Sequence, residues 1–162
     1  MIEENFKNIF KIRLNYDRGG FVKKYNSSYK YIYYDNMQFV CHYCGISADT
    51  VDHVPPISYF EEAKYMYPDI FFVKVPCCRE CNSLAGSTFH INLFERNEFL
   101  FDKYKKRYKK ILSMPEWTSK ELKEKQIGKN LKLKFKNDTN FKQEIKKRLN
   151  FLSNNFNKDN VC

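Results

Sequence analysis

The chain has 162 residues and a formal net charge of +10, with 29 lysines and arginines against 19 acidic residues. Its 43% hydrophobic content suffices for one domain, or a small core with helical extensions. No run approaches the roughly 18 to 20 uninterrupted apolar residues of a membrane span, and residues 1–6 lack a basic segment followed by an apolar one, so the sequence reads as soluble, unsecreted and cytoplasmic.

The charge points to a polyanionic partner, because clustered Lys and Arg displace the counterions condensed on nucleic acid; ordinary solubility is the competing reading. Residues 1–25 open with Ile2, Phe6, Ile9 and Phe10 among Lys7, Lys11 and Arg13. That is the pattern of either a short amphipathic helix or an extended basic arm, and Arg18-Gly19-Gly20 is expected to interrupt it. Residues 25–40 are aromatic and β-prone, with Tyr29, Tyr31 and Tyr33 alternating, so at least one strand is expected to lead into the first cysteine pair.

Cys41-x-x-Cys44 and Cys78-x-x-Cys81 are two thiolate pairs at the local spacing of a tetrahedral Zn²⁺ site. In a cytosolic chain such pairs point to metal rather than disulfides. Gly45 supplies the permissive backbone angle after Cys44, and His42 reads as a spacer. Cys77 adjoins Cys78 as an alternative ligand in a distorted site, and Cys162 reads as a free thiol.

Between the pairs stands Val51-Asp52-His53-Val54-Pro55-Pro56. A carboxylate can hold a hard cation and a neutral imidazole can take a proton near pH 7, a combination suited to phosphodiester hydrolysis. Residues 51–54 read as a strand. Consecutive side chains of a regular strand face opposite sides, so for Asp52 and His53 to share one site the strand is expected to distort or end here. Pro55 and Pro56 give the physical reason. Residues 71–75 are expected as a second strand, and residues 82–85 as the start of a helix facing the Asp-His turn.

After Ile91 the pattern turns helical, with Leu93, Phe94, Phe99, Leu100, Tyr104, Tyr108 and Leu112 on an apolar face. Lys103, Lys105, Lys106, Arg107, Lys109 and Lys110 form the strongest basic stretch, either a solvated helix face or a contact for a DNA backbone. Pro115 is expected to end this segment, and Thr118-x-x-Glu121 reads as a capping box. A further helix is expected to begin near Asn140 and Gln143, with residues 128–140 as a short strand or connector, and the last residues are expected to fray.

CHYCG, VDHVPP and VPCCRECNSLAG, over about residues 38–95, resemble the HNH endonucleases, and are similar to those common in bacteriophages. The resemblance implies an α+β fold: a zinc-braced ββα-metal (His-Me finger) core at 38–95, an N-terminal basic and aromatic extension at 1–37, and a basic helical extension at 96–162. It implies a structural Zn²⁺ on Cys41, Cys44, Cys78 and Cys81, and a catalytic Mg²⁺ or Mn²⁺ held by Asp52 and Asn82. His53 would be the general base, and DNA the substrate, cut to a 3′-hydroxyl and a 5′-phosphate. An Asn carbonyl suits Mg²⁺; His90 is the other candidate for the motif's third letter, though about two helical turns beyond Asn82. Many HNH sequences carry a middle Asn before the second cysteine pair, where this chain offers Asp69 as an analogous brace. The alternatives are a noncatalytic zinc-braced DNA-binding module, and a factor acting on a phage or host protein partner.

Overall fold

In the computed structural model residues 18–33, 37–125 and 127–159 are described. The expectations for residues 1–17, for the final residues and for Cys162 lie outside them. The first described element is helix α1 (Arg18–Tyr25), so Arg18-Gly19-Gly20 makes a helical turn where an interruption was expected. Phe21, Val22 and Tyr25 explain it: they pack with Tyr29, Ile57 and Phe60 into an aromatic cluster, and that burial outweighs the poor helix propensity of glycine.

A turn at Asn26–Ser28 leads into β1 (Lys30–Tyr31), which joins β2 (Thr50–Val54) and β3 (Val73–Cys77) in a three-stranded mixed sheet of order β1-β3-β2. The pair β1-β3 is parallel, and β2-β3 antiparallel with Asp52 opposite Val75 and His53 opposite Lys74. The β3 strand lies two residues beyond the expected span. Phe71 is exposed, while Thr50 Oγ1 and Asp49 N both donate to the Cys77 carbonyl and carry the ladder on to the cysteines.

β2 stays regular through Asp52 and His53, with its ladder paired at every residue from Thr50 to Val54, and then ends before the prolines, so of the two expected outcomes it ends and does not distort. Thr50, Val51 and Val54 are β-branched, and the prolines act only afterwards, where the chain turns through Ile57–Tyr59 into α2 (Phe60–Met66). Strand alternation therefore sends Asp52 to one face of the sheet and His53 to the other.

Helix α3 (Arg79–Ala85) follows β3, capped by the Cys78 sulfur, which accepts from Cys81 N. α4 (Leu93–Arg107) is capped by Asn92, and α5 (Lys109–Ser113) ends before Pro115, as the sequence predicts. The capping box predicted at Thr118 and Glu121 opens α6 (Ser119–Glu124) with both reciprocal bonds present. The 31-residue α7 (Lys129–Asp159) covers all but the first of residues 128–140, where a strand or connector was expected, and continues through Asn140, where a new helix was expected. It packs along α4 and α5.

The main core joins Cys41, Tyr43, Cys44, Val75, Cys77, Cys78, Cys81, Ala85, Leu100, Tyr104 and Leu152, so the cysteines sit inside it. No helix among the described residues is long and apolar enough to cross a membrane.

Candidate metal centre and active-site cleft

The Cys41-x-x-Cys44 turn is closed by Cys41 N donating to Ile46 O at 2.6 Å and Gly45 N donating to Cys41 O at 3.0 Å. Gly45 has φ +75°, as its predicted role requires, and a Cβ there would stand 2.7 Å from the Phe151 ring. Opposite this turn, β3 and the first turn of α3 deliver Cys78 and Cys81. The four Sγ atoms lie within 4.8 Å of one another and all four residues are buried.

Cys44 Sγ and Cys78 Sγ are 3.7 Å apart. A tetrahedron of sulfurs about 2.3 Å from Zn²⁺ has edges of about 3.8 Å. The electrostatics ask for the same cation. The Cys41 thiol is pushed down to about 3, first by its hydrogen bond with Cys44 and then by Cys77, whereas Cys81 is raised, first by Cys41. Cys44 and Cys78 are also drawn down, each to about 7, so three of the four thiols move toward thiolate and the fourth, Cys81, is opposed; a divalent cation at the centre removes that opposition. The four buried cysteines are positioned to hold a structural zinc.

The surrounding groups support the sulfurs. Tyr104 OH lies 3.5 Å from Cys81 Sγ, and Arg148 Nη2 donates to Cys44 Sγ at 3.6 Å and to Glu80 Oε2 at 2.7 Å. His42 is buried outside the cluster. Cys77 is buried beside it with its thiol donating to Cys78 O at 3.3 Å, and its hydrogen bond with Cys41 first of all raises its pKa; Cys78 is the residue that completes the set.

A cleft of about 590 Å³ runs along the free edge of β2 against α3. Because β2 is an edge strand, residues of both its faces border the cleft, and Asp52, His53 and Asn82 all line it. Their side chains are nevertheless engaged differently. Asp52 Oδ2 accepts from Tyr43 OH at 2.7 Å and from Arg96 Nε at 3.0 Å, while Oδ1 accepts from Arg96 Nη2 at 2.8 Å and from the His53 backbone N at 3.0 Å. Two acceptor directions per oxygen are thus filled. Arg96 is fully buried and also donates to the carbonyls of Thr88 and Gly86.

Arg96 Nη1 is 3.3 Å from His90 Nδ1. A guanidinium only donates, so His90 Nδ1 accepts and the ring is neutral, in keeping with a pKa lowered first by burial and next by the Arg96 charge. His90 lines a different cavity, with Glu95, Glu98 and Phe99, and does not border the β2 cleft. The helix does break after Ala85, as Gly86-Ser87-Thr88 suggests, and Gly86 takes φ +54° there.

Asn82 Nδ2 is 3.2 Å from Thr50 Oγ1 and 3.3 Å from Val51 O. The Thr50 hydroxyl spends its proton on Cys77 O, so both partners accept and the amide orientation is fixed, with Nδ2 toward the strand and Oδ1 turned away from it. On the other face, His53 Nε2 is 3.0 Å from Asn26 Oδ1, and its ring meets Tyr29 edge-on at 4.8 Å. Ser58, in the turn after the prolines, also lines the cleft, and its buried hydroxyl has no hydrogen-bond partner among the described residues. Asp69 is exposed in the turn between α2 and β3.

The basic residues Lys103, Lys105, Lys106 and Arg107 of α4, with Lys109 and Lys110 of α5, are all exposed. Lys103 and Lys105 lie over the Phe99 and Phe101 rings, and Arg107 Nε is 3.4 Å from Glu80.

The sequence reading missed Tyr43, Arg96, Asn26, Lys74 and Arg148. A signal existed for two of them: Arg96 falls on the helical stripe Leu93, Leu100, Tyr104, and Arg148 on the stripe Ile145, Leu149, Leu152, where a charged side chain must be buried and partnered. No protein family, no curated protein and no solved structure matches the chain.

Proposed function

We propose that the chain is an HNH-like endonuclease that hydrolyses DNA phosphodiester bonds with a divalent cation, Mg²⁺ or Mn²⁺, using His53 as general base and Asn82 and Asp52 as the cation's ligands. The observation that carries this reading is the convergence of His53 and Asn82 on one open cleft, built on a strand and helix that the four-cysteine centre ties together. The Asn82 carbonyl, held away from β2 by its anchored amide, is a hard-cation ligand. Ser58 offers a hydroxyl without a partner among the described residues to a phosphate oxygen in the same cleft, and the exposed lysines of α4 and α5 supply attraction to the backbone of DNA. For Asp52 to join the cation, one of its hydrogen bonds from Arg96 has to be exchanged for the metal.

One observation favours a second reading. With the acceptor directions of Asp52 filled by Arg96, Tyr43 and His53 N, the carboxylate acts as a structural anchor, and the protein is then a zinc-braced module that binds DNA without cutting it. Zinc-loaded protein incubated with single- and double-stranded DNA and Mg²⁺ or Mn²⁺ separates the two. Cleavage that falls by roughly 10² to 10⁴-fold in His53→Ala, with zinc content and fold retained, supports the nuclease. Binding without cleavage supports the module, and cleavage that His53→Ala leaves intact rejects His53 as the base.

A further inference from the structure

His53 is held by a segment that lies outside the zinc-braced core and outside the residues that resemble a nuclease. His53 and Lys74 are directly opposed on β2 and β3, so their side chains share one face of the sheet. That face meets the turn Asn26–Ser28, which follows α1. Lys74 Nζ donates to Asn26 Oδ1 at 3.1 Å and to the Asn26 carbonyl at 2.9 Å, and His53 Nε2 stands 3.0 Å from the same Oδ1.

These three distances determine where the ring proton is. An ammonium has only donors, so the Asn26 atom facing Lys74 is the carbonyl oxygen and not the amide nitrogen. An oxygen that accepts from Lys74 also accepts from His53, so the hydrogen is on Nε2. In the neutral ring the lone pair is then on Nδ1. The Tyr29 ring standing edge-on to His53, itself fixed by its hydroxyl on Pro55 O at 2.8 Å, limits rotation of the imidazole.

We infer that Asn26 and Lys74 are positioning residues for His53, fixing its proton on Nε2 so that a base at His53 works through Nδ1. This rests on the nuclease reading for its chemistry. There, a water proton moves to Nδ1 while the water oxygen's electron pair forms the new bond to phosphorus. The bond from phosphorus to the 3′ oxygen breaks, and that oxygen takes a proton from solvent. The imidazolium so formed keeps its Nε2–H on Asn26. The N-terminal segment is on this account part of the working site, contributed by residues that a zinc-finger core alone would lack.

The test reads the ring nitrogens of the full zinc-loaded chain by ¹⁵N NMR at a pH where His53 is neutral, alongside DNA cleavage. Wild type is expected to show a protonated, slowly exchanging Nε2 and an unprotonated Nδ1. Asn26→Ala is expected to speed exchange of that proton and to lower kcat by about tenfold or more with KM for DNA little changed. Asn26→Asp, which keeps an acceptor oxygen, restores both, and Lys74→Met gives a smaller loss of the same kind. A proton on Nδ1 in the folded wild type overturns the inference whether or not any variant folds. So does an Asn26→Ala protein with unchanged exchange and unchanged kcat. A wild type that shows the expected ring pattern but cuts no DNA supports the positioning and rejects the nuclease reading alone.

Discussion

Asp52 and Arg96 meet across 44 residues of sequence, fully inside the protein, with side-chain exposures of 5% and 0%. Desolvating two charges is costly, and the arrangement survives because every hydrogen-bonding direction is used: Tyr43 and His53 N complete the carboxylate, and the Thr88 and Gly86 carbonyls with His90 Nδ1 complete the guanidinium. Removing one partner leaves an uncompensated buried charge. Arg96→Met is accordingly expected to lower the unfolding free energy by about 3–5 kcal/mol, and Asp52→Leu with Arg96→Met to recover much of that, as no charge is then left alone. Urea unfolding of the zinc-loaded proteins measures both, and a loss of under about 1 kcal/mol in Arg96→Met would show that the pair is not desolvated in solution. The sequence displays Asp52 as a carboxylate beside a histidine, which is why it reads as a cation ligand; it carries no local trace of the arginine that occupies it.

Among the elements, those whose signal is local were legible. The Thr118 capping box, the Pro115 boundary and the turn at Gly45 each depend on a few adjacent residues. The start of α7 was not. Residues 131–136 alternate Leu-Lys-Leu-Lys-Phe-Lys, a strand-like period, yet they form helix because Leu and Lys favour it and Phe135 stacks on Trp117 with centroids 5.6 Å apart. Farther along α7 the apolar stripe is broken by Arg148, which reaches Cys44 Sγ and Glu80. Four thiolates around one Zn²⁺ leave a net negative charge, and Arg148 offsets it from a helix far away in sequence. Glu80 stays ionised beside it: burial alone raises its pKa, but hydrogen bonds from Tyr108 and Arg148 hold the carboxyl below its ordinary range. Replacing the arginine by methionine keeps an unbranched apolar stem and removes the guanidinium, which lies over the Tyr104 ring and donates to Cys44 and Glu80. Arg148→Met is expected to weaken zinc binding by about 10- to 100-fold, read by competition with a chromophoric chelator. An unchanged affinity would assign Arg148 to helix packing alone.

At the scale of the whole molecule, the cysteine spacing made the metal centre legible, but not how much of the chain depends on it. The sequence reading places a zinc-braced core between two extensions. In the structure β1 from the first extension pairs with β3, and Leu100, Tyr104 and Leu152 from the second share one core with Cys41, Cys44, Cys78 and Cys81. Long-range packing of this kind leaves no periodic mark in the sequence, so the partition by motif is finer than the partition by burial. A consequence follows for metal removal. Apparent binding energies for structural Zn²⁺ in small domains are about 10–16 kcal/mol, as large as the roughly 5–15 kcal/mol net stability of a typical domain. Here the four cysteines sit at the junction of the Cys41–Cys44 turn, β3, α3, α4 and α7, so loss of the ion removes the centre of the main core and, among the described residues, leaves the smaller cluster of Tyr25, Tyr29, Ile57 and Phe60. A strong chelator is therefore expected to abolish helical circular dichroism cooperatively, α4 and α7 included, with zinc restoring it. If zinc leaves and the helices stay folded, the thiols pack as a metal-independent core and the junction is held by the Asp52–Arg96 pair and the apolar stripes instead. Retained helicity with a lost His53–Asn26 ring signal would place the metal's influence at the cleft alone, because the β2–β3 register that sets His53 against Lys74 is anchored at Cys77 beside the cluster.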